Sequence, residues 1–193
     1  MKVLLINGSP HEKGCTYTAL SLIAGELNAA GIETEILNVG TKPVGGCIGC
    51  GGCSADKGCV FGGVVNEAIE KAKTADAFVF GTPVHYASAS GNMTSFMDRL
   101  AYAGGRYLAY KPAAICCSAR RAGTTSTLDQ LVKYPEFFHM PLVSGSYWPM
   151  VHGSNPEQVL QDAEGCAVMQ ELGRNMAWLL RCIEAVSYTH LTL

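Results

Sequence analysis

Cys47, Cys50, Cys53 and Cys59 lie in the stretch CIGCGGCSADKGC, so four of the chain's 9 cysteines share one glycine-rich segment at C-x2-C-x2-C-x5-C spacing. Iron–sulfur clusters are held by cysteine thiolates, and C-x2-C-x2-C is how a ferredoxin-type ligand set begins. Gly49, Gly51 and Gly52 allow the backbone to wrap closely and to turn N–H groups toward sulfur. Zinc is the rival, although all-cysteine zinc sites favour two separated C-x2-C pairs over three cysteines at minimum spacing. An odd cysteine count fits a disulfide framework poorly. A redox-sensing pair and four cofactor-free thiols stay open as alternatives.

Three further segments carry polar groups at the end of an apolar run. NGSPHEKGCTYTAL places small residues and the hydroxyls of Ser9, Thr16 and Thr18 just before a helical pattern. A helix start of this kind offers free N–H groups and a positive dipole end to an anion. It is neither a Walker A loop, since Cys15 stands where lysine is needed, nor G-x-G-x-x-G. A turn capped by Ser9 and Thr16 is the plain alternative. GTPVHYASASGNMTSFMDRL offers Val84, His85, Tyr86 and Ser88 after a sharp turn, a ledge along which a flat heterocycle can lie. CCSARRAGTTSTL brings Ser118, Arg120, Arg121, Gly123 and Thr124 ahead of another helix, and arginine suits a ligand phosphate or a negatively charged ring. Cys116 and Cys117 sit in an apolar run and read as packed core. Asp98-Arg99 reads as a structural salt bridge or cap. No residue is assigned a catalytic role.

These segments need a frame that gathers them. KVLLIN, ETEILNV, AFVFGTP, PAAICCSA and MPLVSGS read as five strands, the continuous apolar runs being those of parallel strands covered on both faces. Helical patterns separate them: TYTALSLIAGELNAAG, VVNEAIEKAKTA, GNMTSFMDRLA and TTSTLDQLVKY. A long final helix starts at Pro156 with Ser154 as its cap. Alternating strands and helices specify a doubly wound α/β sheet, in which ligands bind beyond the carboxyl ends of the strands. Residues 1–185 form a single domain in this reading. The ending VSYTHLTL, residues 186–193, does not suit the preceding helix and reads as a non-native tail.

The formal net charge of -2, without a lysine or arginine run, argues against nucleic acid as a partner. No apolar run reaches membrane-spanning length. The absence of an export signal predicts a cytoplasmic setting, where thiols stay reduced.

Taken together, GSPHEKGCT, GTPVHYASASGNMTSFMDR and SARRAGTT resemble the NADPH-dependent FMN reductases and their iron–sulfur flavoprotein relatives. The resemblance runs through the NMAWLLRCIEA helix. It implies a flavodoxin-like three-layer sandwich with a five-stranded parallel sheet in order 2-1-3-4-5, and FMN at its carboxyl edge. Carried onto this chain, it implies that Ser9, Cys15, Thr16 and Tyr17 hold the phosphate. Pro83, Val84, His85, Tyr86 and Ser88 then line the isoalloxazine, and Ser118, Arg120, Arg121 and Gly123 flank its other edge. His11 and Cys15 stand where relatives commonly carry Arg and Asn. The resemblance implies NAD(P)H as electron donor, a small molecule or a protein as acceptor, and a homodimer. It also favours a 4Fe–4S cluster on Cys47, Cys50, Cys53 and Cys59. The expected activity is FMN-dependent NAD(P)H oxidoreduction; an electron carrier without nicotinamide turnover, or a metal-holding binding module, are the other readings.

Overall fold

The computed structural model describes residues 1–53 and 57–190, so residues 191–193 of the expected tail lie outside the described residues. Its centre is a parallel sheet. β1 (Lys2–Asn7) pairs with β2 (Glu33–Asn38) on one side and β3 (Ala77–His85) on the other, and β3 pairs in turn with β5 (Ala113–Ala119). The edge strand β6 (Met150–His152) gives the order β2-β1-β3-β5-β6. A two-residue strand β4 (Ser88–Ala89) folds back antiparallel on the end of β3. Leaving β4 aside, this is the expected 2-1-3-4-5 order.

Alternation along the strands builds two cores. Leu4, Ile6, Phe78, Phe80, Ile115 and Cys117 point to one face, where they pack with α2 (Val64–Thr74), α3 (Gly91–Gly104) and α4 (Thr124–Phe137). Val3, Leu5, Val79, Ala114 and Cys116 point to the other, against α1 (Cys15–Ala29) and α6 (Ala163–His190). Successive Cβ atoms on a strand face opposite ways, so a run apolar at every position is what a doubly covered strand requires. Cys116 and Cys117 are core residues, as expected; burial pushes both thiols well up, Cys117 to about 12.

Four expectations are corrected. The apolar run at 140–146, expected as the fifth strand, touches the sheet only through its first part. A Leu142–Ala113 bridge forms there, and the Val143 N–H donates to the Ala113 carbonyl at 2.8 Å. Gly145 and Pro149 interrupt the ladder, since proline has no N–H to give. The chain returns as β6, beside Cys117 to Ala119. β3 extends past Pro83 to His85 because β4 pairs back onto it across a turn with positive φ at Tyr86 (51°) and Ala87 (59°).

The final helix is two helices. α5 (Pro156–Gln161) is capped by Asn155 rather than Ser154: Asn155 Oδ1 accepts the Gln158 N–H at 2.8 Å, while the Ser154 N–H donates to Gln158 Oε1 at 2.7 Å. Asp162 breaks the run, its carboxylate accepting the N–H groups of His152 (2.7 Å) and Gly165 (3.0 Å). Lastly, α6 continues to His190, so residues 186–190 do suit the helix. The β-branched and polar residues there lower helix propensity only slightly, and no Gly or Pro stops it. Among the described residues, no helix is long and apolar enough to cross a membrane.

Candidate functional site

The loop between β1 and α1 is organised by Asn7, which is fully buried at the strand's end. Asn7 Oδ1 accepts the Ser9 N–H at 3.1 Å, and its Nδ2 donates to the Glu12 carbonyl (3.2 Å) and to Asn38 Oδ1 (2.8 Å). Ser9 Oγ accepts the His11 N–H at 3.1 Å. α1 then begins after Gly14, which supplies no side-chain cap. Of the turn expected to be capped by Ser9 and Thr16, only the Ser9 half is present, through the His11 N–H. Thr16 instead shares a 2.8 Å hydrogen bond with Ser118, 102 residues away at the end of β5. An uncapped helix start keeps its N–H donors and positive dipole end for a ligand.

A cavity of about 290 Å³ opens at this point. Ser9, Cys15 and Thr16 line it from the first loop, Pro83, Val84 and His85 from the end of β3, and Ser118 and Arg120 from the end of β5. The structure thus brings together eight of the thirteen expected cofactor residues. Burial raises the Cys15 thiol above its ordinary value, outweighing a lowering backbone hydrogen bond, and Cys15 Sγ donates weakly to the Gly153 carbonyl at 3.6 Å.

The other five lie elsewhere. Tyr17 lines a groove along α1 with Lys13 and Asn38. Tyr86 is fully exposed at the apex of the β3–β4 turn. Ser88 Oγ donates to Gln130 Oε1 at 2.8 Å. Arg121 is exposed, and its carbonyl lies 3.1 Å from His152 Nε2. Gly123 precedes α4 with φ +96°, and a Cβ there would sit 2.6 Å from the Ala87 Cα, so its role is close approach of two turns. His11, Ala119, Gly153 and Ser154 line the cavity and were not foreseen. Gly153 and Ser154 follow β6, so inspecting the loop after each strand reaches them once that strand is placed correctly.

The four cysteines line a second, smaller cavity of about 150 Å³, with Phe61, Arg99 and Tyr102 among its walls. Cys47 and Cys50 are exposed, Cys53 and Cys59 half-buried. Asn66 grips Cys59 from both sides: its Oδ1 accepts the Cys59 N–H at 2.8 Å and its Nδ2 donates to the Cys59 carbonyl at 3.0 Å. Gly58 has φ +70°, and a Cβ on it would meet Asn66 Oδ1 at 2.9 Å. Cys53 Sγ donates to the Tyr102 carbonyl at 3.7 Å. Four thiols around one cavity are the donor chemistry of an iron–sulfur cluster. Among the described residues, no group of three His, Cys, Asp or Glu is gathered tightly enough to hold a metal ion.

Asp98 and Arg99 do not act as the salt bridge or cap expected of them. Asp98 Oδ1 accepts the Tyr134 hydroxyl at 2.6 Å; burial, then Asp98 itself, push that phenol well up. Arg99 reaches into the cysteine loop instead.

Residues 1–155 match the family of NADPH-dependent FMN reductases. An iron–sulfur flavoprotein of Methanocaldococcus jannaschii is 28% identical over 95% of this chain and 100% of its own length. An iron–sulfur flavoprotein of Archaeoglobus fulgidus is 31% identical over 86% of this chain and 83% of its own. A flavodoxin from the domain Archaea superposes with a TM-score of 0.62 at 13% identity, covering 94% of this chain and 99% of that one, a likeness that shows a flavodoxin-like fold.

Proposed function

The chain belongs to the NADPH-dependent FMN reductase family, and from that membership we propose that it is an FMN-dependent oxidoreductase passing hydride or electrons from NAD(P)H through FMN to a small-molecule or protein acceptor. The observation that carries the reading is the uncapped start of α1 opening on a cavity walled by the ends of four strands and by four hydroxyls. FMN supplies the redox chemistry when bound, and the protein binds, orients and tunes it.

Ser9, Thr16 and the first-turn N–H groups of α1 are the donors for the phosphate. The Thr16–Ser118 hydrogen bond ties that end to β5, so the two walls hold one spacing. Pro83 and Val84 line the cavity from β3 and would exclude water from a bound isoalloxazine, and Arg120 would supply a positive charge to it from the end of β5. No side chain is needed as a proton carrier. The absorption spectrum of anaerobically purified protein tests this: flavin bands that bleach on adding NADPH or NADH are expected, and a colourless protein that takes up no FMN would end the reading.

A second reading is an iron–sulfur flavoprotein that carries electrons between partner proteins without nicotinamide turnover. The four cysteines around one cavity favour it, and Cys47, Cys50, Cys53 and Cys59 would hold a 4Fe–4S cluster. Iron and sulfide assays on anaerobic protein decide the cluster; stoichiometric zinc, or no metal, would decide for its rivals. Flavin reduction by a reduced ferredoxin, with NAD(P)H inert, would select the carrier. The homodimer belongs to both readings, supported by exposed Trp178 and Val186 on α6 and Trp148 in the edge-strand excursion. Light scattering that gives a monomer mass would reject it.

A further inference from the structure

Arg99 is 7% exposed, and its guanidinium is spent on the cysteine loop. Nε donates to Cys59 Sγ at 3.2 Å, one Nη to the Gly45 carbonyl at 3.3 Å and the other to the Gly62 carbonyl at 3.0 Å. The Phe61 ring covers the cation, 5.5 Å from centroid to Cζ. Gly45 precedes the first cysteine and Gly62 follows the last, so one planar fork closes both ends of the loop and touches one of its sulfurs. A lysine cannot do this, because its ammonium is a single point on a flexible stem.

The helix that carries Arg99 is pinned at its other end. Ser90 Oγ donates to the Gly8 carbonyl at 2.8 Å, and the Ser90 N–H donates to Thr82 Oγ1 at 3.1 Å. Gly8 and Thr82 adjoin the loops that form the larger cavity. Nine residues of helix from Ser90 to Arg99 span about 14 Å. α3 is thus a strut whose start is bonded beside one site, to residues next to its walls, and whose far half holds the other.

We propose that Arg99 is a positioning residue for the four-cysteine site: it clamps the loop at Gly45 and Gly62, sets where Cys59 Sγ sits, and by its charge and hydrogen bond favours the reduced form of the group the cysteines hold. This rests on reading those cysteines as iron–sulfur ligands. Hydrogen bonds to the sulfurs and nearby charge are the means by which a protein sets such a centre's potential.

The test uses full-length Arg99→Met and Arg99→Lys beside the unaltered chain. In metal-free protein, amide hydrogen exchange over residues 57–62, where the Cys59 and Gly62 N–H groups are hydrogen-bonded, is expected to accelerate by about fivefold or more in both variants, the factor for one lost hydrogen bond. Exchange in β1, β3 and β5 is expected to stay as it was. Unchanged loop exchange, or loss of protection throughout the sheet, would overturn the clamp. After anaerobic reconstitution with iron and sulfide, potentiometry followed by electron paramagnetic resonance is expected to give a lower cluster potential in Arg99→Met, with Arg99→Lys in between. One potential for all three proteins would overturn the tuning role. Should the unaltered chain take up no iron or sulfide, it is the cluster reading that falls, and the exchange data alone decide the clamp.

Discussion

The two cavities are built from different materials, and α3 residues line only the smaller. The larger is walled by the ends of β1, β3, β5 and β6, whose backbones are locked in parallel register. The smaller is walled largely by residues from the 41–63 segment, where the described residues form no helix or strand, and the side chains of Asn66 and Arg99 hold it. In the first, the positions of functional groups follow from a cooperative sheet. In the second, they follow from a few side-chain hydrogen bonds, each worth about 1 kcal/mol. A site of the first kind exists before its ligand arrives; one of the second kind gains much of its order from the ligand itself.

Thiol chemistry separates the regions most sharply. At pH 8 a thiol raised to about 12 is ionised in about one molecule in ten thousand. Iodoacetamide followed by mass spectrometry is therefore expected to label Cys47 and Cys50 in native protein, and Cys116 and Cys117 only after unfolding. The linkage sign follows from the same burial: Cys117 is raised from 9.0 to about 12 on folding, so its contribution to stability is whole below about pH 9 and is lost as pH rises toward 12. Alkaline unfolding curves should show that decline, and substituting Cys117→Ala should remove part of it.

Gly40→Val is expected to do the next largest damage, because a Cβ there would collide with the Gly8 and Ser9 carbonyl groups. A loss of about 3 kcal/mol in urea unfolding is expected, together with loss of FMN binding. Asn66→Ala should cost less, about 1–2 kcal/mol, since it strips both backbone partners from Cys59. Its exchange signature should stay within residues 57–62; spread into β1 would break the distinction between the two sites. Thr16→Val removes the hydrogen bond to Ser118 and one hydroxyl. It should weaken FMN binding by about fivefold, as read by fluorescence titration, while iron content is unchanged.

The elements are legible where the pattern is local. The five apolar runs and the helices between them follow from periodicity, and the convergence of Ser9, Thr16, Pro83 and Ser118 follows from the rule that parallel strands all end at one edge. Tyr17 escapes that rule because each helical residue turns the side chain by about 100°, which carries it away from the cavity that its neighbour Thr16 lines. The edge strand escapes it because 140–146 is as apolar as a strand should be, while the pairing of Met150 to His152 depends on what β5 leaves open beside it. Arg99 reads as a partner of Asp98 because they are adjacent, although adjacent helical residues do not face each other.

Apolar spacing and residue type are local properties of the chain, and they suffice to specify the fold class, the order of the elements and the two clusters of reactive groups. Which loop residues share a wall is a different matter, fixed by contacts between distant segments. Thr16 meets Ser118 across 102 residues, and Arg99 meets Cys59 across 40. Such contacts are set by sheet register and helix rotation together, and no stretch of sequence contains both.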